Sequence, residues 1–133
     1  SWQAGCPVEI GIGLDMTARD LQDKAKAKGL PWTLAKGFDY SAPVGKFLPK
    51  NRYADLRDID FHLDLNGVTV QKGNSGLMIH AFNDIISYIS QFMTLRTGDY
   101  IFTGTPAGVG PVKIGDKLEA WIGEEKGLTC QIR

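Results

Sequence analysis

Val8, Ile10, Ile12 and Leu14 alternate with Glu9, Gly11 and Gly13, the period of a strand with one apolar face, and the run stops at Asp15. Thr17 then stands where a helix N-cap belongs, with Asp20 three positions on in a weak capping-box arrangement. The predicted helix continues through Lys24, Lys26 and Lys28, which alternate with alanines. Gly29 suits its C′ position and Pro31 bars continuation. From 31 to 49, Pro31, Gly37, Pro43, Gly45 and Pro49 break any periodicity. Short extended pieces joined by turns are expected there rather than helix. A long irregular stretch inside a small domain is often functional.

Further on, Phe61, Leu63 and Leu65 alternate with His62 and Asp64, Asn66-Gly67 follows, and Val68 and Val70 resume the pattern. Both central residues tolerate positive φ, so a β-hairpin with a type I′ turn is predicted. Ile79, Phe82, Ile86, Ile89, Phe92 and Met93 fall near helical spacing, which predicts an amphipathic helix packed through that face and ending before Gly98. Tyr100-Ile101-Phe102 reads as a short buried strand and 103–110 as a Gly/Pro-rich loop. A turn at Gly115-Asp116, a strand over 117–122, a turn over 123–127 and a last strand over 128–132 complete the chain. Several strands with two separated helices indicate an α+β fold around a curved antiparallel or mixed sheet, in a single domain spanning 1–133.

Composition narrows the function. A chain of 133 residues can bury roughly two-thirds of its unfolded surface and so hold a core. The hydrophobic share of 43% and charged share of 23% are those of an ordinary soluble globular protein. Fifteen basic and 15 acidic residues cancel, which leaves no field to draw in polyanions and argues against nucleic acid as a partner. Lys24, Lys26 and Lys28 then read as a solvated helix face. Cys6 and Cys130 form no Cys-x-x-Cys pair and are expected to be reduced, buried thiols. There is neither a leader-like start nor an apolar run long enough to span a bilayer. No membrane partner is therefore expected, and a cytoplasmic or organelle-matrix location is.

Four positions and one loop could carry chemistry. Asp15, where a strand ends and a helix is about to begin, is either an oxygen ligand for Mg²⁺ or Mn²⁺ or a carboxylate that stabilises the helix start. Arg19 and Gln22 share a helix face and can offer a guanidinium fork and an amide to a carboxylate, or simply face water. Lys36, brought up by the apolar residues before it in what reads as a strand, could stabilise a developing enolate, or be a surface lysine. The loop Thr103-Gly104-Thr105-Pro106-Ala107-Gly108-Val109-Gly110 exposes backbone N–H groups and two hydroxyls. It could cradle an anion, although it is neither a P-loop nor a G-x-G-x-x-G turn. His62 and His80 belong to no triad pattern, and structural or solvated roles are expected for both.

Taken jointly, Gly13-Leu14-Asp15-Met16-Thr17-Ala18-Arg19-Asp20-Leu21-Gln22, Gly29-Leu30-Pro31-Trp32-Thr33-Leu34-Ala35-Lys36-Gly37-Phe38-Asp39 and the 98–110 stretch resemble the fumarylacetoacetate hydrolase family in order and spacing. The resemblance covers nearly all of the chain. The 31–36 stretch and Ala42-Pro43-Val44 look most like the acylpyruvase group, which hydrolyses acylpyruvates or decarboxylates or tautomerises oxaloacetate. It implies a mixed β-roll or β-sandwich of the family's C-terminal domain type, usually a homodimer, acting on a small 2-oxo acid with Mg²⁺ or Mn²⁺. It also implies that Asp15 is a metal ligand, that Arg19, Gln22, Lys36 and Thr105 contact substrate, and that Lys36 is catalytic beside the metal. The family's Glu-x-Glu pair of metal carboxylates and its His-x-x-Glu base are absent, and Glu9 is the only glutamate before Asp15. The chain is therefore expected to be a fragment lacking the upstream part of the catalytic domain and nearly inactive alone. The alternative is a non-catalytic binding or scaffold module that keeps the pocket.

Overall fold

A computed structural model describes residues 8–133. Strand β1 (Glu9–Gly13) leads through Asp15 into helix α1 (Arg19–Ala27) and a single helical turn, α2 (Thr33–Lys36). The chain returns as β2 (Val44–Pro49). It then builds the hairpin β3 (Asp60–Leu65) and β4 (Val68–Asn74), helix α3 (Phe82–Ile89), and the closing hairpin β5 (Lys117–Ile122) and β6 (Glu125–Gln131). Two 3₁₀ turns, Lys50–Arg52 and Ser75–Leu77, follow β2 and β4.

The strands form two sheets, both antiparallel. β1 pairs with β2, placing Ile10 opposite Leu48 and Gly11 opposite Phe47. The other four run in the order β4-β3-β5-β6, with Leu63 opposite Ala120 and Leu118 opposite Cys130. Alternation decides which face is buried. Leu118 and Ala120 on β5 are almost fully buried. Leu63 and Leu65 on β3, and Leu128, Cys130 and Ile132 on or just after β6, turn to the same side. Ile12 and Leu14 from the first sheet close over that face, which makes the two sheets a sandwich. At their closest approach neither strand has room for a side chain. A Cβ on Gly45 of β2 would run into the Gly127 carbonyl of β6, and one on Gly127 would lie 2.8 Å from Ile12.

The β3–β4 turn has the type I′ form expected, with Asn66 at φ 51° and Gly67 at φ 82°. Its asparagine also ties the two hairpins together. The Asn66 amide donates to Asp116 Oδ1 at 2.9 Å, and the Lys117 N–H donates to Asn66 Oδ1 at 2.9 Å. The end of α1 is equally as expected. Gly29 has φ 63° and its N–H donates to the Lys26 carbonyl, while the Leu30 N–H reaches back to Ala25, a Schellman closure.

The structure corrects several expectations. The α+β class holds, but the described residues form three helices rather than two. Residues 33–36 form a helical turn where extended chain was expected, because the Gly37 N–H can reach the Thr33 carbonyl at 2.7 Å and Ala35 is buried to 2% exposure. Helix α1 begins after Ala18, with no side-chain cap, so Thr17 is not its N-cap. Tyr100-Ile101-Phe102 is not a strand. It finds no ladder partner, and Tyr100 instead stacks on Phe47 with centroids 5.0 Å apart. β6 starts at Glu125, since the tight Gly123-Glu124 turn suffices. Helix α3 is shorter than its apolar pattern, leaving Ile79, Phe92 and Met93 outside it and exposed. Cys130 is a free, half-buried thiol, and Cys6 lies outside the described residues.

Candidate functional site

Between the two strands of the first sheet the chain makes an excursion whose base is pinned by backbone hydrogen bonds. Leu14 N–H donates to the Pro43 carbonyl and Met16 N–H to the Ser41 carbonyl, both at 2.8 Å. Higher up, Ala18 N–H donates to the Ala35 carbonyl at 3.0 Å, which sets the start of α1 against α2. This last contact puts Lys36 beside Asp15 although 21 positions separate them in sequence.

The Lys36 ammonium donates to Asp15 Oδ2 at 2.7 Å and to Thr17 Oγ at 2.8 Å. The Thr17 hydroxyl in turn donates to the Asp15 backbone carbonyl at 3.4 Å. An ammonium has three protons, so one remains available at this partly open surface. The Lys36 and Asp15 side chains are 31% and 42% exposed, and an ion pair that wet contributes about 0–1 kcal/mol to stability. Its effect is to fix a charge in place rather than to hold the fold.

At the start of α1, Arg19 Nη1 donates to Gln22 Oε1 at 2.6 Å. Gln22 is only 3% exposed, so it is a buried anchor that orients an exposed arginine. The expected shared face of these two residues is therefore realised as a direct hydrogen bond.

Thr105 is not drawn into this set. It is exposed, and among the described residues no hydrogen bond joins it to Asp15, Arg19, Gln22 or Lys36. Its loop is anchored at both ends. Upstream, the Phe102 ring lies against Gly13, two residues before Asp15. Downstream, Gln71 of β4 donates to the Pro106 carbonyl at 3.1 Å, and Gly108 at φ 98° abuts the Val70 carbonyl. The loop thus runs from the β1 end toward the edge of the larger sheet.

Both histidines stand apart. His62 stacks on Trp121 with centroids 5.7 Å apart and lies 3.8 Å from Asp64, so it is half-buried rather than solvated. His80 lies in an exposed bend before α3 rather than at its first turn. A cavity of about 180 Å³ beside Lys46, Arg52, Tyr53 and Glu125 includes none of the candidate residues.

Thr17 is the residue that sequence reasoning placed wrongly. Its i, i+2 spacing from Asp15 was a usable signal, since in non-helical backbone such residues turn to one side.

Residues 10–133 match the sequence profile of the fumarylacetoacetate (FAA) hydrolase C-terminal domain. The chain belongs to the fumarylacetoacetate hydrolase family. Human mitochondrial oxaloacetate tautomerase FAHD1 is 53% identical over 119 residues, 90% of this chain and 54% of the relative. The mitochondrial oxaloacetate decarboxylase of Dictyostelium discoideum is 48% identical over 111 residues, 84% and 51% of the two chains. The fumarylpyruvate hydrolase of Pseudomonas aeruginosa, crystallised with Mn²⁺ and pyruvate, superposes with a TM-score of 0.86 at 36% identity. That match covers 93% of this chain and 53% of the other. The chain thus spans about half the length of the curated relatives it matches. Members of the fumarylacetoacetate hydrolase family are enzymes, and at least one holds a divalent metal.

The described residues do not by themselves fit such a metal. No group of three or more His, Cys, Asp or Glu side chains converges among them. Asp15 offers one carboxylate, already engaged by Lys36. A hard divalent cation takes six or more oxygen ligands. No helix among the described residues is long and apolar enough to cross a membrane.

Proposed function

We propose that this chain carries the 2-oxo-acid-binding part of a divalent-metal-dependent hydrolase that cleaves a C–C bond in acylpyruvate-type 2,4-dioxo acids. The observation that carries the reading is the Lys36 ammonium, held by Asp15 and Thr17 with one proton to spare. The oriented Arg19 opens α1, two residues after Thr17. Arg19, oriented by the buried Gln22, is assigned to the substrate carboxylate, and Thr105 is assigned a further substrate contact from its loop. Water, giving up a proton to a base that lies outside the described residues, adds to the distal carbonyl; the C–C bond then breaks, the acyl part leaves as a carboxylic acid, and pyruvate departs as its enolate and is protonated. Negative charge grows on the keto oxygen as this happens, and a fixed ammonium at that oxygen lowers the barrier because the interaction strengthens toward the transition state.

The names of the relatives favour a second reading on the same groups. Oxaloacetate tautomerisation or decarboxylation also passes through an enolate of a 2-oxo acid and needs no attacking water. Asp15 is proposed as one oxygen donor toward Mg²⁺ or Mn²⁺, whose remaining ligands lie outside the described residues. The family resemblance further supports a homodimer. The mitochondrial relatives support the mitochondrial alternative to a cytoplasmic location.

The test is turnover of acetylpyruvate, oxaloacetate and a longer dienoate with added Mn²⁺ or Mg²⁺. The 133-residue chain alone should show none above background, and measurable hydrolysis by it would overturn the division of labour proposed here. In a full-length protein bearing this segment, Lys36→Ala should lower kcat by about 10²–10³-fold. An unchanged kcat would remove Lys36 from the chemistry.

A further inference from the structure

We propose that Thr17 is the positioning residue for the Lys36 ammonium, a role distinct from capping α1. The proposal rests on the assignment of Lys36 given above.

Held by Asp15 alone, an ammonium on a flexible four-carbon stem would swing about a single acceptor. Thr17 supplies the second acceptor at 2.8 Å, and two fixed acceptors define the direction of the third N–H. The hydroxyl is itself oriented. It must accept from the ammonium, which can only donate, and this leaves its own proton for the Asp15 carbonyl 3.4 Å away. A β-branched side chain is stiff at χ1, which keeps the accepting oxygen where it is. Helix capping does not account for the hydroxyl, because α1 begins without any side-chain cap hydrogen bond. The network is closed within the segment, from Thr17 to the Asp15 backbone and from Lys36 to both side chains. It therefore exists before any substrate arrives, as an electrostatic catalyst requires.

Thr17→Val keeps the shape of the side chain and deletes the acceptor, while Thr17→Ser restores it. The first readout is independent of activity: the lysine-ammonium ¹H–¹⁵N correlation of Lys36 in the ligand-free protein, assigned by its loss in Lys36→Met. A slowly exchanging signal should be present in the parent and in Thr17→Ser and absent in Thr17→Val, with circular dichroism unchanged in all three. The second readout is kinetic and uses the same full-length protein as the Lys36→Ala test. Loss of one hydrogen bond to a charged group should lower kcat by about ten- to a hundredfold with KM little changed, and the serine variant should recover most of it. A Lys36 signal that survives Thr17→Val, or a Thr17→Val enzyme with parental kcat beside an impaired Lys36→Met, overturns the proposal. If Lys36→Met is itself fully active, the assignment of Lys36 fails instead. The spectroscopic result still decides whether Thr17 holds the ammonium.

Discussion

The β-sandwich and the 77–110 stretch treat apolar side chains in opposite ways. In the sandwich, Leu118, Ala120 and Leu14 are buried, and Leu63, Leu65, Leu128 and Ile132 pack on them. In the 77–110 stretch, Leu77, Ile79, Tyr88, Phe92, Met93, Tyr100 and Val109 are all exposed, and the periodic stripe of α3, Phe82, Ile85, Ile86 and Ile89, is only half-buried. A strand whose neighbours are supplied by adjacent hairpins has both its ladder and its core face satisfied locally. An amphipathic helix supplies only its own backbone bonds, and its apolar stripe needs a second surface. Periodicity thus specifies the element, and burial depends on whether a partner surface exists among the residues described.

That contrast can be broken first at the core. Leu118→Ala should cost about 2–5 kcal/mol in chemical denaturation, because a buried leucine leaves a cavity the sandwich cannot fill. A loss under about 1 kcal/mol would mean the sandwich is not the stabilising unit.

A smaller effect is expected where the two hairpins are joined. The Asp116 carboxyl is held below the usual carboxylate range, chiefly by the Asn66 amide and then by the Lys113 N–H. Glu119 is lowered in the same sense by Lys126 and Lys117. A carboxyl lowered in the folded state adds stability above its unfolded pKa and loses it as pH falls through its folded value. The denaturation midpoint should therefore drop on acidification below about pH 4. Asp116→Asn should flatten that slope, with Glu119 supplying what remains. An identical slope in the variant would show that the Asn66–Asp116 tie does not contribute.

The least effect is expected on α3 and the turn that follows it. Tyr88→Ser and Phe92→Ser, each at an exposed position, should stay within about 0.5 kcal/mol of the parent by the same measurement. A loss comparable to that of Leu118→Ala would show that the 77–110 stretch is covered after all.

What was legible in the sequence follows the same division. The Asn66-Gly67 hairpin, the 117–122 strand and the Gly29 helix end are set by local chemistry and were readable. The single turn of α2 was not. Its flanking Pro31 and Gly37 argue against helix, and what stabilises it is the burial of Ala35, a tertiary fact. Tyr100-Ile101-Phe102 has the composition of a strand but no strand beside it, so its rings pack on Phe47 and Gly13 instead. At the site, Asp15, Arg19, Gln22 and Lys36 stood out through motif spacing, and the structure joins Asp15 to Lys36 and Arg19 to Gln22. Thr17 did not stand out, because the residue it serves is 19 positions away. Thr105 was named by resemblance alone, and its loop is anchored to other elements.

The pinned base of the excursion between Leu14 and Pro43 has a consequence for how such proteins diversify. A segment whose two ends are clamped by a strand pair can change length at a closure penalty that grows only logarithmically. Four of the five candidate side chains lie on that one contiguous stretch, together with Thr17. On the assignment proposed above, substrate preference can be rewritten by exchanging a short run of codons while the sandwich beneath is inherited unaltered.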